Sequence, residues 1–331
     1  MALIDPFQRK IEYLRVSVTD KCNYRCGYCM PEQGAHPEGR HTEYLDFDEL
    51  ARIIKAFVEL GVTKVRLTGG EPLLRKGVAE FVSEISPYEG LKEIALSTNA
   101  HHLAKHAVAL KQAGVTRANI SIDSLNPKLF HQITRGGDLT KVLAGVEAGL
   151  AAGLQPIKFN MVVMKGTNDG EIESMVDYGL EKGVEVRFIE TMPIGEAGIS
   201  LMDQHYPMDK IMARVKAHVG TDLIPSTGKS HDGPSKNFLI KGTDTRVGVI
   251  SAVSDHFCES CNRVRLTARG VLALCLGQED SVDLRTPIRD GISDDGLKAL
   301  IVEAMKKKPE RHFFNENVHN IEFRQMVSLG G

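Results

Sequence analysis

Six cysteines are the residues of this 331-residue sequence best suited to chemistry, and they fall into two groups of three: Cys22, Cys26 and Cys29, then Cys258, Cys261 and Cys275. A chain this large has no need of a disulfide framework, and Met1 to Lys10 contain no apolar export-signal core, so the thiols read as metal ligands. Cys22-x3-Cys26-x2-Cys29 sets three thiolates on one short loop, enough for three corners of a cubane of four irons and four sulfides. The fourth iron would have no protein ligand. Clusters that only pass electrons usually have four cysteines, so an open corner suggests direct binding of a small molecule. Zinc is the alternative, but zinc prefers four ligands, and neither His36 nor His41 stands at zinc-finger spacing. For Cys258-x2-Cys261-x13-Cys275, spacing alone leaves a cluster and a zinc site equally open, with His256 as a fourth zinc ligand.

Such loops need a scaffold. Leu14–Thr19, Lys64–Thr68, Glu93–Thr98, Arg117–Asp123, Pro156–Val163 and Glu185–Thr191 read as strands, each with helical sequence after it. The first helix opens at Asp46, with Glu49 as capping-box partner, carries Leu50, Ile53, Ile54, Phe57 and Leu60 on one stripe, and ends at Gly61. Strands alternating with helices imply parallel βα units and an α/β fold, a partial (β/α)6 barrel rather than an open doubly wound sheet. Both the first cysteine loop and Gly69-Gly70-Glu71-Pro72 then sit at carboxyl ends of strands, where β/α folds place their chemistry.

Strand parity predicts what the scaffold encloses. Leu14, Val16, Val65, Leu67, Ile94, Leu96, Ile120, Ile122, Ile157, Phe159 and Met161 share one face; Arg15, Arg66, Ser97, Ser121, Asp123, Lys158 and Asn160 share the other. The sixth strand is less clean. An apolar outer face fits beneath helices, and a polar inner face suggests an open cavity for a polar ligand. An antiparallel sheet wetted on one side is the plainer alternative, and the intervening helices oppose it. Arg263 and Arg265 share one face if Val264 lies on a strand. Five cations, these two with Arg15, Arg66 and Lys158, would be costly in one cavity without an anion, and guanidinium forks suit phosphate oxygens.

Composition divides the chain into a barrel over 1–222 and a C-terminal region over 223–331. Pro225 to Lys236 reads as a loop or linker, and a basic helix is expected around Leu297–Lys308. Thr227-Gly228-Lys229-Ser230 is no phosphate loop, because the earlier glycine position is Leu223 and Pro234 follows. The net charge of −2 provides no field for nucleic acid or anionic membrane, and no apolar run reaches the ~18 residues of a span. A cytoplasmic protein is expected.

Cys-x3-Cys-x2-Cys with Tyr28 before its third cysteine, followed by the Gly-Gly-Glu-Pro loop, resembles the radical S-adenosylmethionine superfamily. Cys261-Asn262-Arg263-Val264-Arg265 and the closing Gly330-Gly331 narrow the likeness to its GTP 3′,8-cyclase family, over nearly the whole chain from Leu14. That resemblance implies two 4Fe-4S clusters, each with one open iron. S-adenosylmethionine would bind the first, with Tyr28, Gly69, Gly70, Ser121 and Met192 around it. Guanine would meet the second, with Arg15, Arg66, Ser97, Lys158, Arg263 and Arg265 binding GTP. The family usually has Thr at Ser97, and the hydroxyl is kept. An electron from an external donor would split the sulfonium to methionine and a 5′-deoxyadenosyl radical, which takes the 3′ hydrogen of the ribose. Attack on C8 and reduction would give (8S)-3′,8-cyclo-7,8-dihydro-GTP, the opening product of molybdenum-cofactor biosynthesis. It would then pass to cyclic pyranopterin monophosphate synthase, and a homodimer is compatible with the family. Two rivals stand beside this reading. A radical enzyme acting on a peptide or inserting sulfur would not require the arginines, and a zinc-binding regulatory or nucleic-acid module would want a basic aromatic surface.

Overall fold

Period-two alternation of apolar and polar residues yields six strands: β1 Tyr13–Ser17, β2 Lys64–Thr68, β3 Glu93–Thr98, β4 Arg117–Ser121, β5 Lys158–Val163 and β6 Glu185–Glu190. The computed structural model from which they come describes residues 2–32, 44–226, 233–255, 257–314 and 325–330. Each strand pairs in parallel with the next. The crossovers carry α1 Phe47–Glu59, α2 Val78–Ile85, α3 Leu103–Ala113, the pair α4 Pro127–Thr134 and α5 Leu139–Ala151, and α6 Ile172–Lys182. Four strands differ in their ends from the sequence expectation. β1 starts one residue earlier and stops at Ser17, β4 stops at Ser121, β5 starts at Lys158, and β6 stops at Glu190. At three carboxyl ends the chain thus leaves the ladder early, which frees Thr19, Asp123 and Thr191 for the loops above.

β1 and β6 do not pair with each other, so the six-strand unit is an open, partial barrel. Both of its edges are extended by later residues. After α7 Gly195–Ile199 and α8 Met208–Val219, strands β7 Leu223–Ser226, β8 Lys236–Ile240 and β9 Arg246–Ile250 form a meander whose last strand runs parallel to β6. On the other edge β10 Arg263–Leu266 runs parallel to β1, followed by antiparallel β11 Val271–Ala273 and β12 Ser281–Asp283. Of the loop or linker expected over Pro225–Lys236, Pro225 and Ser226 lie in β7 and Lys236 in β8. Residues 227–232, which include Thr227-Gly228-Lys229-Ser230, lie outside the described residues, as do His36, His41, His256 and Gly331. After α9 Arg285–Arg289, the C-terminal helix is α10 Asp294–Met305, packed against α1. It starts three residues before the expected Leu297 and stops before Lys306, Lys307 and Lys308, so the helix itself carries more acidic than basic residues and the expected basic character lies beyond its end.

The parity prediction holds at the level of side chains. Leu14, Val16, Val65, Leu67, Ile94, Leu96, Ile120, Phe159 and Met161 are buried in one core with Leu50, Ile53, Ile54 and Phe57 of α1. The Asp46 carboxylate accepts from the Glu49 amide at 2.7 Å, and the Glu49 side chain accepts from the Asp46 amide at 2.8 Å. Among the described residues no helix is long and apolar enough to cross a membrane.

Asp46→Ala removes one of these two reciprocal bonds and is expected to lower the stability of α1 by about 1 kcal/mol. The readout is the midpoint of chemical unfolding; an unchanged midpoint would show that the cap contributes nothing.

Candidate functional site

Two tight loops meet at the carboxyl ends of β1 and β2. The Gly70 amide donates to the Thr19 carbonyl at 2.8 Å and the Glu71 amide to the Lys21 carbonyl at 2.7 Å, binding the Gly-Gly-Glu-Pro loop to the base of the cysteine loop. No side chain fits in this approach. A Cβ at Gly70 would lie 2.2 Å from the Lys21 carbonyl oxygen, and one at Gly69 would lie 2.5 Å from that of Thr19. The fully buried Glu71 carboxylate then accepts from the Leu73 amide at 3.1 Å, Thr98 Oγ1 at 2.7 Å and the Asn99 amide at 2.7 Å. One side chain therefore fixes the ends of both β2 and β3. Burial pushes the Glu71 carboxyl up to about 7, against the three bonds that it accepts.

Within the cysteine loop, the Cys29 and Met30 amides both donate to the Cys26 carbonyl, closing a tight turn. The Arg25 and Gly27 amides tie that turn to the last carbonyls of α4. Tyr28 donates its hydroxyl to Asp123 at 2.8 Å, and Asp123 also accepts from the Val162 amide at 2.9 Å, so β4 and β5 help hold the loop. Burial pushes the thiols up, Cys22 to about 11 and Cys29 to about 12, with Cys26 well above its ordinary value. Three such groups become stable thiolates once a cationic centre takes up their charge.

A cavity of about 240 Å³ opens beneath this loop, lined by the polar parity of the strands. Every site residue singled out from the sequence lines it except Lys158, Cys258, Cys261 and Cys275. Lys158 has the expected parity but is buried against Glu185 at 3.1 Å, and Glu185 also pairs with Arg187. Glu93 holds Lys64 at 3.1 Å and Arg117 at 2.8 Å in the same way. The lumen thus holds more cations than the sequence indicated, and two carboxylates compensate part of them. Arg66 and Arg263 have no carboxylate partner among the described residues. They lie over aromatic rings instead, Arg66 over Tyr13 at 5.4 Å and Arg263 over Phe257 at 5.2 Å. Burial lowers Arg66 to about 9, and the guanidinium of Arg265 lies well below its ordinary value for the same reason.

The second trio stands beside this cavity rather than in its wall. Phe257, Arg263 and Leu276, each next to or near one of its cysteines, line the cavity, as do all three cysteines of the first trio. A small apolar cluster spans the two regions, packing Cys29 and Met192 with Phe257, Leu276, Ile194, Phe314, Met326 and Leu329. Neighbours of the second trio thus border the space that the first trio lines. Buried cations hold the second trio's backbone: Arg9 donates to the Cys258 carbonyl at 2.9 Å, and Lys308 donates to the Leu274 carbonyl at 2.6 Å and that of Arg263 at 3.2 Å. Although burial would raise it, Cys261 is lowered to about 7 by Arg263 and Lys308.

The C-terminal turn enters the same space. The Gly330 carbonyl accepts from Arg15 at 2.8 Å and Thr68 Oγ1 at 2.6 Å, and the Leu329 carbonyl accepts from Arg265 at 3.3 Å. Gly330 has φ of +82°, and a Cβ there would meet Thr68 Cγ2 at 2.6 Å, so glycine is required twice over.

Among the described residues no compact group of three or more His, Cys, Asp or Glu side chains is arranged for a single metal ion. What each cysteine region offers is three thiols, a donor set that suits a cubane with one corner left for a ligand; His256, the fourth zinc ligand that the sequence offers beside the second trio, lies outside the described residues. Sequence reasoning missed Glu71, Asp123 and Arg187 as positioning groups, and Lys64, Arg117 and Tyr13 as lumen residues. Parity placed Asp123 inward, and Arg187 shares parity with Glu185, but nothing local indicates which cation a carboxylate will neutralise.

Residues 16–179 match the Radical SAM superfamily model, and residues 184–314 match Molybdenum Cofactor Synthesis C. The chain is 86% identical over 331 residues to the GTP 3′,8-cyclase of Hydrogenovibrio crunogenus, covering 100% of both chains. It is 44% identical over 328 residues to that of Alkaliphilus oremlandii, covering 99% of each. Its fold resembles that of Streptococcus suis SuiB bound to precursor peptide SuiA, with a TM-score of 0.62 at 14% identity over 93% of this chain and 76% of that one. SuiB bound to S-adenosylmethionine gives a TM-score of 0.61 at 12% identity, over 87% of this chain and 68% of the other.

Gly70→Ala is expected to displace Lys21 and the loop that follows. Iron analysis of anaerobically purified protein should show the loss of one cluster's share, about four irons per chain; unchanged iron would show that the loop tolerates the contact.

Proposed function

The chain belongs to the GTP 3′,8-cyclase family of radical S-adenosylmethionine enzymes, and we propose that its two cysteine trios and the arginines between them divide the work of binding cofactor and GTP. It cyclises GTP to (8S)-3′,8-cyclo-7,8-dihydroguanosine 5′-triphosphate, the first step of molybdenum-cofactor biosynthesis. Cys22, Cys26 and Cys29 would hold the 4Fe-4S cluster of the radical reaction. Cluster and S-adenosylmethionine, when bound, supply the 5′-deoxyadenosyl radical that removes the ribose 3′ hydrogen.

The remaining work falls to this chain's own residues. Gly69 and Gly70 expose backbone where the methionine end of the cofactor would lie, and Tyr28, Ser121 and Met192 border the rest of that pocket. Cys258, Cys261 and Cys275 are assigned to a second 4Fe-4S cluster, at which the guanine would be fixed. Arg15, Arg66, Arg263 and Arg265, with Ser97, would bind GTP from the lumen wall, and Lys158 would contribute its charge from beneath. Holding base and triphosphate at separate places leaves the ribose little freedom, and joining C3′ to C8 requires those two carbons near contact. The electron comes from an external one-electron donor, and the product passes to cyclic pyranopterin monophosphate synthase.

The observation that carries the GTP assignment is the pair of Arg66, buried, and Arg263, half-buried, which line one cavity without a carboxylate partner among the described residues. A triphosphate of charge near −4 would supply what the protein does not.

Reduced enzyme given S-adenosylmethionine should form 5′-deoxyadenosine only when GTP is present, and Cys26→Ala should form none. Turnover of the cofactor by Cys26→Ala would refute the first cluster site. Arg265→Ala should weaken binding of GTP at least tenfold while leaving guanosine nearly unaffected, as measured by equilibrium binding; equal losses would contradict a phosphate role.

A further inference from the structure

At the floor of the cavity stands a polar atom for which the described residues provide no partner. Tyr13 is the first residue of β1, in register with Lys64 on β2 and Arg263 on β10, and its parity turns the side chain inward beside Arg15. The residue is only 3% exposed, and its hydroxyl is buried with no hydrogen-bond partner among the described residues. Buried hydroxyls are normally satisfied, so an orphan that borders a cavity marks a place where a ligand atom belongs.

The surroundings state which kind of atom. Lys64 Nζ lies 5.0 Å from the Tyr13 ring centroid and the Arg66 guanidinium 5.4 Å from it, so both cations rest on this ring. Arg66 Nε, next to it, is likewise buried without a partner. Burial would raise the Tyr13 phenol, yet Arg66, Arg15, Lys64 and Arg263 together bring it down to about 8, a measure of how positive the site is. A neutral or cationic ligand group would gain nothing there. Two adjacent orphan donors in a field of that sign call for an anionic acceptor, and a phosphate oxygen accepts from both.

We propose that Tyr13 is a triphosphate-binding residue, its hydroxyl donating to a phosphate oxygen of GTP while its ring keeps Lys64 and Arg66 aimed at the same group. The role rests on the assignment of the triphosphate to this lumen. It separates two functions within one side chain: the ring orders cations, and the hydroxyl reads the anion. Tyr13→Phe removes only the second, and Tyr13→Leu removes both.

The test is equilibrium binding of GTP and of guanosine to anaerobically reconstituted holoenzyme, with Arg66→Ala measured alongside. Tyr13→Phe should weaken GTP about tenfold, as expected for a hydrogen bond to a charged group, with guanosine unchanged and no fall in the thermal midpoint of the nucleotide-free protein. Tyr13→Leu should weaken GTP further. If Tyr13→Phe binds GTP as the native enzyme does, or loses GTP and guanosine equally, or melts lower without nucleotide, the hydroxyl is not a phosphate ligand. Should Arg66→Ala weaken GTP selectively while Tyr13→Phe does not, the Tyr13 assignment fails alone. Should neither discriminate GTP from guanosine, the placement of the triphosphate fails with it.

Discussion

Inside the open barrel, cationic side chains crowd a lumen largely closed to water, and much of the architecture answers their mutual repulsion. Glu93 and Glu185 each serve two cations, and aromatic faces receive Arg66 and Arg263. Backbone carbonyls of the C-terminal turn reach Arg15 and Arg265. The aromatic and carbonyl contacts are weaker than a full ion pair in a dry site, so the lumen remains electrostatically poised for an anion. A barrel filled with branched aliphatic side chains would be more stable and would have no room for a nucleotide.

Rigidity at the other end of the cavity has a different origin. There the chain relies on close backbone approach: glycines let the loop after β2 touch the base of the cysteine loop, and Glu71 gathers three donors from the ends of neighbouring strands. Loops are ordinarily the most mobile part of an α/β fold. Here the thiols sit on a turn whose amides bond to the Cys26 carbonyl and to α4. The C-terminal turn joins the two ends, because its apolar residues pack with Cys29 and its carbonyls contact the lumen arginines.

Much of this was readable along the chain. Alternation over five or six residues identified the strands and their inward side chains, because a period of two leaves no other arrangement when one face must be buried. The capping box at Asp46 and the two cysteine spacings are local patterns, and they appear in the structure as local features. The likeness of the Gly-Gly-Glu-Pro loop to a known motif indicated its position, but not that the glycines are needed for contact with Thr19 and Lys21. Strand six was ambiguous because its alternation breaks near the end, where apolar Ile189 shares the parity of Glu185 and Arg187, and charged Glu190 that of Val186 and Phe188.

By itself the sequence determined the kind of protein: which residues face inward, which loops carry thiols, and which chemistry three cysteines with an open corner suit. Tertiary structure decided the pairing of charge. Lys158 and Arg66 have the same parity, yet one meets Glu185 and the other meets a tyrosine ring. It also decided that β10 lies against β1, which brings Arg263 and Arg265 level with Tyr13 and Arg15 across nearly the whole length of the chain. The reason is physical. Periodicity is a property of neighbours along the backbone, whereas electrostatic compensation depends on register between strands far apart in sequence, and no local pattern records it.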